Sequence, residues 1–378
     1  ASVYVGIQYP LELAQQTWIP IILVYAFLAS VLPVWTLLQP RDYLSSFLLY
    51  TGVGGTLLAV IVGTFVAGGA GFGAEALEIK IHAWNGFMAG DYAQPLFPIL
   101  FVTIACGTIS GFHSLVSSGT TAKQLNKETD AKTIGYGGML GEGLLATTAL
   151  ITLGVAVELG TVGGAAGALP NFATGGGIIL STVGIPASYG APFMALVMVS
   201  FLLTSTDTAL RLGRYMLEEI VGTPETSVQE AATNKYVNAG IQSIIAYLLL
   251  ASGSWETLWP LFGSANQLLA ALALLTASVW LANWDDSKQL ISTGGPMALM
   301  IVITVSALLY LAFYANLYQG LMLGGVTGSA AQISTGVQIV ISLVLIYLGL
   351  SLLWIGYGNI KSVRESSGVA TDGGQSDD

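Results

Sequence analysis

From Pro95 the chain is apolar as far as Ile104, Thr103 excepted, and then reads Ala105-Cys106-Gly107-Thr108-Ile109-Ser110-Gly111-Phe112-His113-Ser114-Leu115-Val116-Ser117-Ser118-Gly119-Thr120-Thr121. Gly107 lies twelve residues beyond Pro95. At the helical rise that is roughly 18 Å, near or just past the middle of a hydrocarbon core about 30 Å thick. Small and hydroxyl residues at that depth do not serve contact with lipid. They let a helix unwind, so that backbone carbonyls and amides face a cavity instead of hydrocarbon. The restarted half-helix, near His113 and Ser114, would point its amide end at an anionic group. The competing reading is tight helix packing, because Gly and Ser also make close small-residue interfaces. His113 between Ser110 and Ser114 adds a polar demand that packing alone does not need.

The rest of the composition makes a membrane the right frame for this stretch. Of 378 residues 54% are apolar and only 8% charged, against roughly 25% charged in a soluble globular domain. Mean hydropathy is +0.74, and runs of about twenty apolar residues recur, which excludes an ordinary cytosolic enzyme. The formal net charge is −10, so nucleic acid and anionic membrane surfaces are not expected partners. Cys106 is the single cysteine, which rules out an intrachain disulfide or a cysteine metal cluster within this sequence.

The expected fold class is an all-α polytopic membrane protein with about nine transmembrane helices, near 18–38, 43–67, 95–115, 134–157, 191–210, 235–251, 258–282, 296–318 and 332–356. Trp18, Tyr43, Tyr136, Trp259, Trp280, Tyr318 and Trp354 stand near span ends, where amphipathic rings prefer the headgroup level. Ten of the eleven basic residues fall in alternate connections: Arg41; Lys123, Lys127 and Lys132; Arg211, Arg214 and Lys235; Lys288; Lys361 and Arg364. Lys80 is the exception. Basic loops stay cytoplasmic, so residues 1–17 are expected outside and the C-terminus inside. The Gly-rich segments around Gly68–Gly73, Gly163–Gly167 and Gly175–Gly177 read as outer loops. Gly69-x-Gly71-x-Gly73 follows a membrane helix and opens no βαβ unit, so it is not a nucleotide fingerprint. The stretch 358–378, which ends in polar and acidic residues from Ser366 to Asp378, reads as a disordered cytoplasmic tail.

Ionisable groups inside a span are costly, about 2.5–3.5 kcal/mol on insertion scales, and each is a functional candidate. His113 has been named. Glu142, in Gly141-Glu142-Gly143, is roughly 12 Å from the inner boundary, placed either to carry a coupling proton or to act as a hydrogen-bonded strut. Thr204-Ser205-Thr206-Asp207-Thr208 surrounds an acid with hydroxyls, as oxygen donors to a small hard cation or a proton relay would be arranged. An Asp207–Arg211 pair at i,i+4 is the bland alternative. Asn266 and Gln267 are neutral amides that bond either to an unwound neighbour or simply helix to helix. An enzyme is not expected: His113 shares one helix with Ser110 and His82 lies in a loop, so no serine–histidine pair, bis-histidine haem site or metal cluster is legible. No cofactor and no metal is expected.

Four separated blocks then resemble one family. They are Trp35 to Leu44 (Trp-Thr-Leu-Leu-Gln-Pro-Arg-Asp-Tyr-Leu), Thr103 to Leu125, Ile134 to Leu140 (Ile-Gly-Tyr-Gly-Gly-Met-Leu), and Leu258 to Gln267 (Leu-Trp-Pro-Leu-Phe-Gly-Ser-Ala-Asn-Gln). Together they resemble the carbon starvation protein A (CstA) family, in family order, from about residue 18 to 282. The resemblance implies a secondary transporter for peptide uptake in carbon starvation or for pyruvate:proton symport, related to carriers with a LeuT-type five-plus-five inverted repeat. In that order the helix at 95–115 takes the place of the broken sixth helix and the one at 191–210 the place of the eighth, which contributes to a cation site. The chain would then correspond to helices four to twelve. Members also carry an upstream His-His-Phe-Ala helix that is not found here.

The resulting expectations are these. Residues 1–17 form an extracytoplasmic stretch, 18–67 the last two helices of a first repeat, and 68–94 an external loop. Residues 95–282 form a second five-helix repeat, 283–356 two C-terminal helices, and 357–378 a cytoplasmic tail. Thr103, Cys106, Gly107, Ser110, Gly111, His113, Ser114, Asn266 and Gln267 face the substrate, while Glu142, Thr204, Ser205, Asp207 and Thr208 couple the ion. The partners are a small anionic substrate (a peptide or pyruvate), a proton or sodium, the lipid bilayer of the cell membrane, and a missing N-terminal segment or complementary chain. The alternative of another class is a non-transporting membrane subunit or sensor that keeps the carrier fold and binds a partner.

Overall fold

A computed structural model of the chain describes residues 2–70, 77–84, 86–89, 94–156, 164–283 and 287–372. These residues are almost wholly helical. The helices are α1 (Ser2–Gln8), α2 (Gln15–Val31), α3 (Leu38–Ala70), the short pieces α4 (Phe101–Thr103), α5 (Ala105–Thr108) and α6 (Gly111–Val116), α7 (Asp130–Ala156), α8 (Gly164–Ser181), α9 (Ala187–Val221), α10 (Ser227–Thr233), α11 (Lys235–Ala251), α12 (Ser254–Leu281), α13 (Ser287–Leu309) and α14 (Ser329–Asp372). A two-stranded antiparallel ladder, β1 (Met88–Ala89) with β2 (Gln94–Pro95), precedes the broken helix.

Six segments among the described residues are long and apolar enough to cross a membrane: Leu38–Phe65, Asp130–Ala156, Ala187–Val221, Trp255–Leu281, Leu290–Met322 and Ser329–Glu365. The protein is therefore a polytopic, multi-pass membrane protein. These six correspond to six of the nine expected runs. The other three are shorter or interrupted: α2 and α11 have 17 residues each, and the run from Pro95 is broken into pieces. The run expected over 18–38 ends at Val31 because Pro33 follows; Leu32 is held extended at φ −74°, ψ 153°, as a residue before proline prefers.

The chain divides into two compact units, residues 1–85 with 125–256, and residues 86–124 with 257–378. In the first, Ala59 of α3, Val155 of α7, Phe172, Ile179 and Leu180 of α8, and Met194 of α9 form one core. In the second, Ile99 and Val102 pack with Ala271 of α12, Met300, Ile303 and Ala307 of α13, and Leu311. Half of the span in α12 is buried but only 17% of that in α14, so α12 is the central column of its unit and α14 its flank.

The Gly-rich stretch expected to be an outer loop contains α8 instead. The glycines are there for close approach, not for a turn. A Cβ on Gly175 would strike the Thr152 carbonyl of α7, one on Gly176 would lie 2.6 Å from Met194 Cγ, and one on Gly177 2.8 Å from Ala191 Cβ on α9. Helices with lipid around them gain by such intimate backbone contact, since no hydrophobic drive separates lipid from protein. At the other end α14 continues to Asp372, where residues 358–372 had read as tail; Lys361 and Glu365 pair at 3.8 Å one turn apart. Residues 373–378 and the 71–76 part of the Gly-x-Gly-x-Gly segment lie outside the described residues.

Gly175→Ala is expected to destabilise the protein by about 1–3 kcal/mol through overpacking. Gly143→Ala, where an added Cβ meets nothing within 4 Å, should stay within about 0.5 kcal/mol of the parent. Thermal unfolding of the two variants in one detergent checks the difference.

Candidate functional site

The first cluster lies where the helix from Pro95 gives way. Its ladder weakens at Ile104 (φ −94°, ψ 11°), resumes in α5, and is broken at Ser110, whose φ −112° and ψ 126° are extended. Ser110 then caps α6, its Oγ accepting from the His113 amide at 3.2 Å. Four side-chain groups close the break. Asn266 Oδ1 accepts from the Phe112 amide at 2.8 Å. Asn266 Nδ2 donates to Ser110 Oγ at 3.3 Å, and Gln267 Nε2 donates to the Phe101 carbonyl at 2.7 Å. Ser114 Oγ donates to the Ser110 carbonyl at 2.9 Å. Of the two sequence readings of Asn266 and Gln267, the amides bond to the unwound neighbour.

This contact makes the two sides of the break unlike. Gly111 is buried, and a Cβ there would meet the Asn266 carbonyl and Leu269; a Cβ on Gly263 would meet the Val102 carbonyl. That side is sealed by α12. The opposite side is open: Thr103, Cys106, Gly107 and His113 are exposed, and a Cβ on Gly107 would meet nothing within 4 Å. Ser110 and Ser114 are half-buried between them. Cys106 Sγ lies 3.8 Å from Ser110 Oγ, while Thr103 Oγ1 bonds back to the Ile99 carbonyl at 2.8 Å. Gln267 Oε1 is buried with no hydrogen-bond partner among the described residues.

The second cluster belongs to the other unit. Asp207 on α9 is fully buried, and its partner is Arg41 of α3, not Arg211. Arg41 Nη1 lies 2.6 Å from Asp207 Oδ2 and 2.5 Å from Tyr25 Oη of α2, and Nη2 lies 3.1 Å from Asp42 Oδ1. Thr204 Oγ1 donates to the same Asp42 oxygen at 2.9 Å. Arg211 is taken elsewhere: its Nη2 donates to the carbonyls of Ala29 and Leu32, at 2.7 and 2.9 Å, and Arg214 Nη1 donates to that of Ser30 at 3.0 Å. Two cations thus cap the last turn of α2, where unpaired carbonyls and the negative end of the dipole favour them. Thr208 is buried and Ser205 exposed. Glu142 is exposed on α7 among Gly135, Gly137, Gly138, Gly141 and Gly143, at none of which an added Cβ meets anything within 4 Å.

Sequence reasoning missed Arg41 as a member of the Asp207 cluster and counted it only as a topology marker. The available signal was its place in the Trp35 to Leu44 block beside Asp42. No group of three or more His, Cys, Asp or Glu side chains suited to a metal occurs among the described residues.

The model of the family described as "Carbon starvation protein CstA" matches residues 1–160 and 155–307. The chain belongs to the CstA family. A "Peptide transporter CstA" of Helicobacter pylori (strain J99) is 34% identical over 339 residues, covering 74% of this chain and 48% of its own length. One of Bacillus subtilis (strain 168) is 34% identical, covering 71% and 50%. The "Pyruvate/proton symporter BtsT" of Escherichia coli (strain K12) is 29% identical over 441 residues, covering 90% and 60%. The chain thus spans about half the length of the curated relatives it matches. No solved structure matches it. These relatives are named as transporters.

Asn266→Ala would remove the acceptor of the Phe112 amide and the donor to Ser110. The expected cost is about 1–3 kcal/mol, the penalty of a buried backbone donor left unpaired. Asn266→Asp keeps the acceptor and should cost less; chemical unfolding of both variants in detergent measures the gap.

Proposed function

We propose that this chain provides the substrate-binding and ion-coupling part of a CstA-type carrier that takes up a small anionic substrate, a peptide or pyruvate, with protons. The observation that carries the reading is the break at Ser110. It is sealed on the α12 side by Asn266 and open on the side of Thr103, Cys106, Gly107 and His113. An interrupted helix with one open side is the arrangement by which carriers expose backbone and side-chain donors to a substrate inside a membrane. Ser110 and His113 would offer donors to the carboxylate, while Ser114, its hydroxyl committed to the Ser110 carbonyl, would hold the broken backbone beside it. The hydroxyl of Thr103 and the thiol of Cys106 would flank it, with Gly107 leaving room for its approach; Gly111, expected to face the substrate, instead lets α12 close against the break, and Gln267 holds the stretch before it.

Asp207, with Thr204, Ser205 and Thr208 beside it and Glu142 on α7, supplies the coupling groups in this reading. We further infer that the three shorter or broken runs also cross or enter the bilayer, giving nine passes with residues 1–17 outside and the C-terminus cytoplasmic. The placement of α8 supports this. Its second half packs against Thr152 near the end of α7, Ala191 near the start of α9 and Gly63 of α3 through Thr182. In this reading the C-terminal end of α8 lies on the outer side, beside the end of α7 and the start of α9. The likeness to a LeuT-type repeat and the need for the remaining length of the relatives belong to the same proposal.

The test is uptake into proteoliposomes by the full-length protein. Pyruvate or a dipeptide should accumulate under an inward proton gradient, and Ser110→Ala and His113→Ala should each lower the rate about tenfold, the loss of one good hydrogen bond to a charged group. Absence of uptake for both substrates, or unchanged rates in both variants, would falsify the reading. A second measurement uses Cys106: a small water-soluble maleimide should label it in the bilayer, and the transported substrate should slow that labelling several-fold.

A further inference from the structure

We propose that Arg41 is the built-in cation of the Asp207 site: its guanidinium occupies the position that a sodium ion would need, and so leaves the proton as the ion this site can exchange. The inference rests on the carrier reading above and names its coupling ion.

The oxygens gathered here are those a small hard cation takes: Asp207 Oδ2, Asp42 Oδ1, Thr204 Oγ1 and Tyr25 Oη, from α9, α3 and α2. Hard cations bind through carboxylate, hydroxyl and carbonyl oxygens; calcium, close to sodium in size, does so at about 2.3–2.6 Å. In this structure three of those oxygens are taken by the two terminal nitrogens of Arg41, and Thr204 Oγ1 donates to the Asp42 oxygen. Nη1 is 2.6 Å from Asp207 and 2.5 Å from Tyr25, and Nη2 is 3.1 Å from Asp42. A second cation among the same oxygens would lie within a few ångströms of the guanidinium, and on the Asp207 side, which is fully buried, like charges so close repel strongly. A guanidinium is also never deprotonated at working pH, so the occupant does not leave by losing its charge. It can be displaced only by neutralising a carboxylate, and a proton does that without needing a coordination shell.

The other charged groups on the packed elements do not change the balance. Arg211 and Arg214, further along α9, are committed to the Ala29, Leu32 and Ser30 carbonyls of α2, and Arg214 also faces Glu218 at 3.7 Å. The contacts of α11 on this side are neutral, Asn238 Nδ2 donating to the Arg214 carbonyl and Gln242 to Asn238. Within the cluster itself one guanidinium faces two carboxylates, Asp42 and Asp207, so formally one negative charge is left over. Asp207 Oδ1 has no hydrogen-bond partner among the described residues. That oxygen is the place for the proton.

The experiment reads ion binding through stability, and so does not depend on finding a transported substrate. The full-length protein in nanodiscs is heated in 300 mM sodium, potassium or choline chloride. Wild type should show the same Tm in all three. Arg41→Gln frees the oxygens and should be stabilised by sodium over choline by about 1–2 °C, the mass-action shift for a site filled at about ten to a hundred times its dissociation constant in a protein of that size. The double variant Arg41→Gln, Asp207→Asn should lose that preference. A wild type stabilised by sodium as much as Arg41→Gln, or a folded Arg41→Gln indifferent to sodium, overturns the proposal. Where Arg41→Gln yields no folded protein in choline, its recovery by extraction in sodium chloride supports the proposal. Failure of sodium to recover it, while the double variant folds in choline, overturns it. A negative uptake assay with a normal sodium result would sink the carrier reading and leave the ion assignment standing.

Discussion

A helix that breaks in mid-course leaves backbone groups that an apolar surrounding cannot satisfy, and the second unit is built around meeting that demand. The Phe112 amide and the Phe101 carbonyl flank the break on either side, and both are answered from consecutive residues of one helix, Asn266 and Gln267. Each unpaired group would cost several kcal/mol in lipid. The need to answer them dictates why α12 runs through the middle of its unit and why Gly111 and Gly263 must be bare. The amides of Asn266 and Gln267 reach the broken strand of chain only if the two backbones nearly touch. Closing one side of the break is also what leaves the other open.

The first unit solves a different problem, the burial of charge. Asp207 is enclosed on α9 and Arg41 is brought to it from α3, while Arg211 and Arg214 are spent on the end of α2. Breaking a buried pair by removing one partner leaves an uncompensated charge, which is more costly than the pair itself is favourable. Such a network therefore resists partial change but responds to the arrival of one extra charge. It also explains why α2 stops where it does: Pro33 ends the helix, and the two arginines then satisfy the carbonyls that the stop leaves unpaired.

Much of this was legible along the chain. Apolar runs located six of the long helices, and the Gly107 to Ser114 stretch announced a break whose actual position is Ser110. Asp207 stood out as an acid where acids are costly. The Gly175–Gly177 run misled, because glycine in a soluble loop and glycine in a close membrane helix contact look alike in one dimension; only Thr152, Met194 and Ala191 distinguish them. The identity of Asp207's partner was equally hidden. Spacing of four residues favoured Arg211, whereas the partner lies 166 residues away, a distance no local pattern encodes.

Composition and hydropathy by themselves determined that this is a polytopic membrane protein and where six of its long apolar helices lie, and they singled out polar residues near 103–114, 142, 204–208 and 266–267 as candidates. Those conclusions follow from local transfer free energies, which each residue carries with it. The tertiary structure alone decided which groups meet: Asn266 on the Phe112 amide, Arg41 on Asp207, and the glycines of α8 on α7 and α9. Pairing depends on how helices far apart in sequence pack. Packing is set by shape and hydrogen-bond satisfaction summed over many side chains, and no single stretch of sequence holds that sum.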